Sequence, residues 1–331
     1  MNILEAKKYG KEQLKNSPSP DLDVSVLLQF VTGFDRTQLL LKRDCNLSKE
    51  QETNFLDAIK RRKTGLPVAY ITGHKEFYGY DFYVTPAVLI PKPDTEILID
   101  QALNSLALFY SKNENKDGSI KKIPEICDMC SGSGCVGISV LKALLENDGI
   151  PVNCLPKMTF VDISADALEI TQKNAERLLG KGEKLNNPEN LTSALSKIRF
   201  IQSNLFENVP FSFDYILTNP PYVPHSESLE LLKDGRSEPL LALDGDVDSD
   251  GEYSGTEDGL FLIKRLVPQC FEHLVCGGTL IMETGEYNAE QTAKLFEKTG
   301  FKNVHIEKDL NDMLRDVTGT KPHSLAFSGT A

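Results

Sequence analysis

The sequence predicts an α/β fold in which a doubly wound parallel sheet follows a smaller helical domain. Short apolar strands alternate with helices from about residue 97 onward, whereas residues 1–75 show helical periodicity. Between them lies a short aromatic stretch with the alternation of a β-hairpin. Strands that alternate with helices are typical of βαβ units, whose sheets are parallel. We therefore predict a helical domain at 1–75, a hairpin linker at 76–96 and a sheet domain at 97–331.

The helical segment carries start and stop signals around its apolar run "VSVLLQFVTG". Ser19, Pro20 and Asp21 precede this run as a helix start, and Gly33 ends it. The linker "EFYGYDFYVTPAVLIP" then reads as two short aromatic strands with Gly79 at the turn between them.

The sheet domain is predicted from five apolar strands and the helices between them. A final stretch at 323–329 is expected to add an edge strand, and the polar inserts at 111–121 and 181–196 are expected to be surface loops. We predict strands at 124–129, 156–162, 198–202, 213–218 and 278–283, and helices at 135–147, 164–180, 257–273 and 288–299.

The composition is that of a globular protein. A net charge of −12 disfavours broad electrostatic binding to nucleic acid. No run of about 18 apolar residues predicts a membrane helix. The N-terminal stretch "MNILEAKKYGKEQLKNS" lacks the apolar core of a signal peptide. We expect a cytoplasmic monomer that binds neither membranes nor nucleic acid directly.

Two patterns raise the question of a metal site. Cys127, Cys130 and Cys135 would need a fourth zinc ligand, and only Cys154 follows nearby, so we expect no zinc. The segment 246–257, "DVDSDGEYSGTE", matches the calcium-loop pattern D-x-D-x-D-G-x5-E. The sequence before it, "SEPLLALDG", does not read as the entering helix of an EF-hand. We therefore favour an acidic surface insertion, with calcium as the alternative.

Glycines follow the first strand of the sheet in "DMCSGSGCVG", residues 128–137. Gly132 and Gly134 allow the backbone to turn sharply and to approach a ligand at the start of a helix. Gly137 supplies a third glycine, so a nicotinamide-dependent dehydrogenase is a competing hypothesis.

Polar residues follow three further strands. Asp162 can accept hydrogen bonds from ribose hydroxyls, and Asn204 can contact an adenine edge. The strand 213–218 runs into "NPPY", residues 219–222, where the prolines stop ladder pairing. Because parallel strands end at one edge of a sheet, these groups are predicted to share one rim.

The motifs of the glycine-rich turn and of the three further strand ends resemble, in their order along the chain, those of a class I S-adenosylmethionine-dependent methyltransferase. More narrowly, the chain resembles the methyltransferases that modify the glutamine N5 of peptide chain release factors. The resemblance covers nearly the full length and includes "RKTGLPVAYITGHKEFYGYDFYV", "VLIPKPDTEILI", "TNPPY" and "EPLLALDG". It implies a seven-stranded doubly wound sheet, S-adenosylmethionine as cofactor, a release factor as partner, and an N-terminal domain that binds this substrate.

The resemblance also assigns roles to individual residues. Three positions depart from the family pattern: Cys130 replaces glycine, Lys92 replaces arginine, and Asn204 replaces an acidic residue. Implied cofactor contacts are Cys130, Ser131, Gly132, Ser133, Gly134, Asp162, Asn204 and Asn219, and implied catalytic residues are Asn219, Pro220, Pro221 and Tyr222.

The chemistry of glutamine methylation fits the "NPPY" corner. An amide nitrogen is a poor nucleophile, so it must be held in line with the methyl group. The Asn219 oxygen and the Pro220 carbonyl can accept its two hydrogens, while Pro221 stiffens the turn and Tyr222 flanks the substrate. The same corner could serve an exocyclic amine of adenine or guanine in nucleic acid, which is the alternative function. A non-catalytic cofactor-binding module is a third hypothesis.

Overall fold

The computed structural model describes residues 1–146, 150–180, 192, 194–233 and 238–323. The chain forms two compact units. The first contains Met1–His74, Val84–Pro86 and a third segment, of which residues 229–233 are described. The second contains Lys75–Tyr83 and the described residues within 87–228 and 238–323.

The first unit is helical, as predicted. One helix begins after Ser19 with Pro20 and ends at Gly33, whose φ of +71° is the left-handed conformation that glycine adopts without strain. The helices pack around a core that includes Leu27, Phe55 and Ile59. They are α1 (Ile3–Gln13), α2 (Pro20–Thr32), α3 (Arg36–Leu41), α4 (Lys49–Lys63) and α5 (Val68–Thr72).

The aromatic hairpin forms where it is predicted. Strands β1 (His74–Phe77) and β2 (Tyr80–Tyr83) are joined by Tyr78 and Gly79, which have φ values of +53° and +75°. Two successive positive φ values are the geometry of the tight turn that matches strand twist.

The described residues of the second unit form a seven-stranded sheet in the order β5-β4-β3-β6-β7-β9-β8. The strands from β5 to β7 pair in parallel, but β9 pairs antiparallel with both β7 and β8, so the sheet is mixed rather than wholly parallel. The strands are β3 (Glu125–Met129), β4 (Lys157–Asp162), β5 (Ile198–Gln202), β6 (Phe213–Thr218), β7 (Leu274–Glu283), β8 (Lys302–Lys308) and β9 (Leu314–Thr320).

Helices accompany these strands at the predicted positions. Two further helices, Glu96–Asn113 and His225–Leu232, were not among the predicted elements, and the first extends into the insert at 111–121, which is therefore only partly a loop. The helices are α6 (Glu96–Asn113), α7 (Cys135–Glu146), α8 (Ala165–Leu179), α9 (His225–Leu232), α10 (Phe261–His273) and α11 (Ala289–Thr299). The predicted strand at 323–329 and the insert at 181–196 lie largely outside the described residues.

The register of the parallel strands aligns their carboxyl ends. Met129 at the end of β3 is paired with Val161 on one side and with Thr218 on the other, and Asp162 is paired with Gln202. The residues that follow β3, β4, β5 and β6 therefore emerge along one edge. All six residues of β6 are buried, so its abrupt end at the prolines brings buried backbone directly to that edge.

Among the described residues, no helix combines the length and the apolar character needed to cross a bilayer.

Candidate active site

A cavity of about 200 Å³ lies at the carboxyl edge of the sheet. Groups that follow β3, β4, β5 and β6 all contribute to its wall, and residues between 87 and 95 and between 239 and 249 add to it. Of the predicted site residues, those lining the cavity are Cys130, Ser131, Gly132, Ser133, Asp162, Asn204, Asn219 and Pro221, whereas Gly134, Pro220 and Tyr222 do not line it.

The turn after β3 is built from left-handed residues. Cys130, Gly132 and Gly134 have φ values of +60°, +55° and +75°. Cys130 thus holds a conformation that favours glycine, and desolvation of its half-buried thiol raises the pKa well above its ordinary value. A Cβ at Gly134 would lie 2.6 Å from Thr171 Cγ2, so this glycine permits close packing against α8 rather than facing the cavity.

Asp162 supports the turn as well as facing the cavity. Its Oδ2 accepts from the Gly132 N–H at 2.8 Å, and its Oδ1 accepts from the Ser164 N–H at 2.9 Å. Burial raises the pKa of the Asp162 carboxyl, and these backbone donors oppose that rise. Each carboxylate oxygen can accept a second hydrogen bond, so ligand hydroxyls can still bind here.

Asn204 is oriented by a local partner. Its Nδ2 donates to Glu207 Oε1 at 2.7 Å, which leaves the side-chain oxygen as the end that can accept from a ligand. Ser131 Oγ is buried and has no hydrogen-bond partner among the described residues. A buried hydroxyl without a partner is costly, and a ligand in the cavity would satisfy it.

Asp128 is a site residue that we did not single out from the sequence. It is 1% exposed at the end of β3, and its Oδ2 accepts from the Gly137 N–H at 2.8 Å. Burial raises its pKa to about 8, against the effect of this hydrogen bond. A Cβ at Gly137 would lie 2.6 Å from Phe160, so Gly137 serves packing and the Asp128 contact.

The "NPPY" corner presents Asn219 to the cavity, whereas the Tyr222 side chain contacts Glu283 and does not line the cavity. Asn219 Nδ2 donates to Thr95 Oγ1 at 3.0 Å. The Tyr222 hydroxyl donates to Glu283 Oε1 at 3.0 Å. Pro220 is buried next to Pro221.

The corner is also held by contacts to the backbone carbonyl of Tyr222. The Tyr222 carbonyl accepts from Asn288 Nδ2 at 3.1 Å and from the Tyr287 hydroxyl at 3.3 Å. Gly259 approaches so closely that an added Cβ would lie 2.0 Å from the same carbonyl oxygen. These contacts hold the corner in one conformation.

Glu283, at the end of β7, is a second residue that the sequence analysis missed. It is 1% exposed, and its Oε2 has no hydrogen-bond partner among the described residues. Burial raises its pKa to about 7, while Thr95, Tyr222 and the positive charge of Arg315 lower it. An acidic residue at a strand end, as in "GTLIME", was the signal available in the sequence.

The acidic segment 246–257 is not a simple surface insertion, because Asp246 and Val247 are buried. Asp246 accepts from Thr256 Oγ1 at 2.7 Å and from the Gly259 N–H at 2.8 Å, so its carboxylate holds the segment together. Asp248 accepts from two backbone N–H groups of its own loop. Over the described ranges, no group of three or more His, Cys, Asp or Glu residues is arranged to hold a metal ion.

Comparison with known proteins places this site in a family. Residues 5–73 match the model of the PrmC N-terminal domain, and residues 110–234 match the methyltransferase small domain. Release factor glutamine methyltransferases from Koribacter versatilis and Leptospira interrogans are 34% and 32% identical to this chain. The alignments cover 93% of this chain and 94% of the first relative, and 97% and 98% for the second. The relative from Salmonella typhimurium is 30% identical over 90% of this chain and 91% of its own length. The chain belongs to the release factor glutamine methyltransferase family.

Proposed function

We propose that the chain transfers a methyl group from S-adenosylmethionine to the side-chain amide nitrogen, N5, of the glutamine in the Gly-Gly-Gln loop of peptide chain release factors. The observation that carries the proposal is that Asn219 faces the same cavity as Asp162 and the Gly/Ser turn. Family membership favours a glutamine amide over a nucleobase amine as the acceptor.

The residues of the cavity fit S-adenosylmethionine. Asp162 retains acceptor capacity for ribose hydroxyls, Asn204 presents its oxygen, and Ser131 Oγ needs a partner. The backbone of Cys130–Gly134 allows a ligand to approach closely, and we propose that Gly134 acts by shaping this turn. When bound, S-adenosylmethionine supplies an electrophilic sulfonium methyl group.

The chain contributes by holding the acceptor amide. Asn219 Oδ1 can accept one amide hydrogen and the Pro220 carbonyl the other, which leaves the nitrogen lone pair directed away from both. Positive charge develops on that nitrogen during transfer, and two acceptor oxygens stabilise it. With S-adenosylmethionine bound, the new N–C bond would form as the bond between methyl and sulfur breaks, and the nitrogen would then release one proton to water. We propose that Tyr222 acts from outside the cavity, through its hydrogen bond to Glu283.

The substrate is a protein, so recognition must extend beyond the cavity. We propose that residues 1–75 form the domain that binds the release factor, that the hairpin region 76–96 is the linker, and that 97–331 is the methyltransferase domain. The exposed apolar side chains Phe30, Leu40 and Leu41 of the helical unit are available for such a contact. We also propose a cytoplasmic monomer that does not bind nucleic acid, in line with the net charge of −12.

The direct test is incubation of the protein with labelled S-adenosylmethionine and a purified release factor. We expect label on the glutamine of the Gly-Gly-Gln loop, located by mass spectrometry, and no label when that glutamine is replaced by alanine. Label on RNA or DNA in place of the release factor would refute the proposal.

Replacing the amide-holding residue gives a second test. Asn219→Ala should lower kcat by about 100-fold or more while the Kd for S-adenosylmethionine changes little, because the acceptor oxygen is lost but the turn after β3 is intact. Turnover at the wild-type rate would contradict the role of Asn219. Calorimetric titration of the cofactor supplies the Kd.

A further inference from the structure

Thr95 lies beside Asn219, within the stretch "VLIPKPDTEILI", and has no role among those assigned above. It ends the 3₁₀ turn Pro93–Thr95, is 1% exposed, and lines the cavity beside Asn219. Its backbone N–H donates to the Lys92 carbonyl at 3.1 Å, so the turn fixes its position. The two side chains are 124 residues apart in the chain and 3.0 Å apart in the fold.

The contact selects which end of the Asn219 carboxamide faces the substrate. The oxygen and nitrogen ends of an amide have nearly the same shape, so packing alone does not distinguish them. Because Nδ2 is bound to Thr95 Oγ1, Oδ1 is the end left for the cavity, and nothing among the described residues donates to it. A substrate N–H needs an acceptor there, whereas an Nδ2 group would oppose it with a second donor.

The direction of this hydrogen bond follows from the chemistry of its two groups, because an amide Nδ2 can only donate and the threonine oxygen accepts. The Thr95 hydroxyl keeps its own proton for another acceptor, and the Thr95 side chain lowers the pKa of the buried Glu283 carboxyl. Among the described residues, the titratable groups that interact with Glu283 are Tyr222, Asp94, Arg315, Asp316 and Cys135.

We propose that Thr95 is a positioning residue that fixes the Asn219 amide with its oxygen toward the acceptor glutamine. This inference rests on the proposed function, since it concerns how that glutamine is held. Thr95 does not itself touch the reacting atoms in this proposal. Its effect on the rate is transmitted through the orientation of Asn219.

The test compares Thr95→Val with Thr95→Ser at pH 8. Valine has nearly the shape of threonine without the hydroxyl, so Thr95→Val should lower kcat about 10- to 100-fold with little change in the Kd for S-adenosylmethionine. Thr95→Ser keeps the hydroxyl and should stay within a few-fold of wild type. Circular dichroism and thermal unfolding check that each variant is folded.

Thr292→Val is the matched control. Thr292 is also fully buried, but its Oγ1 has no hydrogen-bond partner among the described residues, so this variant should retain the wild-type kcat. Equal rates for Thr95→Val and Thr95→Ser would overturn the inference, as would equal losses in Thr95→Val and Thr292→Val. A wild-type protein that fails to label any release factor would instead overturn the proposed function.

Discussion

Glu283 shows how one buried carboxylate connects folding with the site. Its side chain is withdrawn from water at the end of β7 and meets the Tyr222 hydroxyl. Burial raises its pKa to about 7, from about 4.3 in an unfolded chain. The folded state therefore binds a proton more tightly than the unfolded state. The contribution of this carboxyl to the free energy of unfolding is therefore fully present below the pKa that Glu283 has in the unfolded chain. It is lost as the pH rises through 7.

We predict that Glu283→Gln gains stability relative to wild type as the pH rises. The glutamine does not ionise, so the difference in unfolding free energy should shift in favour of the variant by roughly 2 kcal/mol between pH 5 and pH 8. Urea unfolding at both pH values measures it, with Glu286→Gln as an exposed control. A constant difference across this range would contradict a raised pKa for Glu283.

The positions of residues that follow a strand could be predicted from the sequence, whereas contacts between residues distant in the chain could not. Asp162, Asn204 and Asn219 follow strands, and the structure brings all three to one cavity. Thr95 and Glu283 matter because of contacts with residues 124 and 61 positions away. Local patterns carry no information about such pairs.

At the scale of elements, the turn after β3 depends on glycine at two positions for different reasons. Both Gly132 and Gly134 have positive φ, which costs another residue about 1–2 kcal/mol. A Cβ at Gly132 meets nothing within 4 Å, whereas one at Gly134 would lie 2.6 Å from Thr171 and 2.8 Å from Ile138.

We therefore predict a larger loss of stability for Gly134→Ala than for Gly132→Ala. Gly132→Ala should lose about 1–2 kcal/mol from backbone strain alone, and Gly134→Ala should lose more because α7 and α8 must also shift. Thermal unfolding with and without S-adenosylmethionine compares the loss of stability in the two variants. Equal losses would mean that packing against α8 does not matter.

The elements that the sequence analysis identified are those with clear apolar patterns. Strands β3, β4 and β6 are largely buried and read directly as apolar runs. Strand β8, "KNVHIEK", is mostly exposed, and β9, "LRDVTGT", is predominantly polar in composition, so neither resembles a core strand. The antiparallel edge was missed for this reason.

At the scale of the whole molecule, each unit has its own apolar core. Phe55 is fully buried in the core of the helical unit, and Phe213 is fully buried in the core of the sheet unit. Truncating either to alanine removes a large buried ring and should cost about 3–5 kcal/mol. The two substitutions are matched in chemistry and burial but fall in different cores.

We predict that these variants separate substrate recognition from cofactor binding. Phe55→Ala should weaken methylation of the release factor while calorimetry still detects S-adenosylmethionine binding. Phe213→Ala should weaken cofactor binding itself, because β6 pairs with β3, whose end leads into the Cys130–Gly134 turn. Should Phe55→Ala lose cofactor affinity as fully as Phe213→Ala, the assignment of substrate binding to the helical unit would be wrong.

The helical unit is not continuous in the sequence, since the described residues 229–233 belong to it together with Met1–His74 and Val84–Pro86. During translation, the ribosome must therefore pass residue 233 before this unit has all of its described parts. By then, the segments that become β3, β4, β5 and β6 have already been synthesised. A nascent chain released before that point would carry every N-terminal helix and yet an unfinished N-terminal fold.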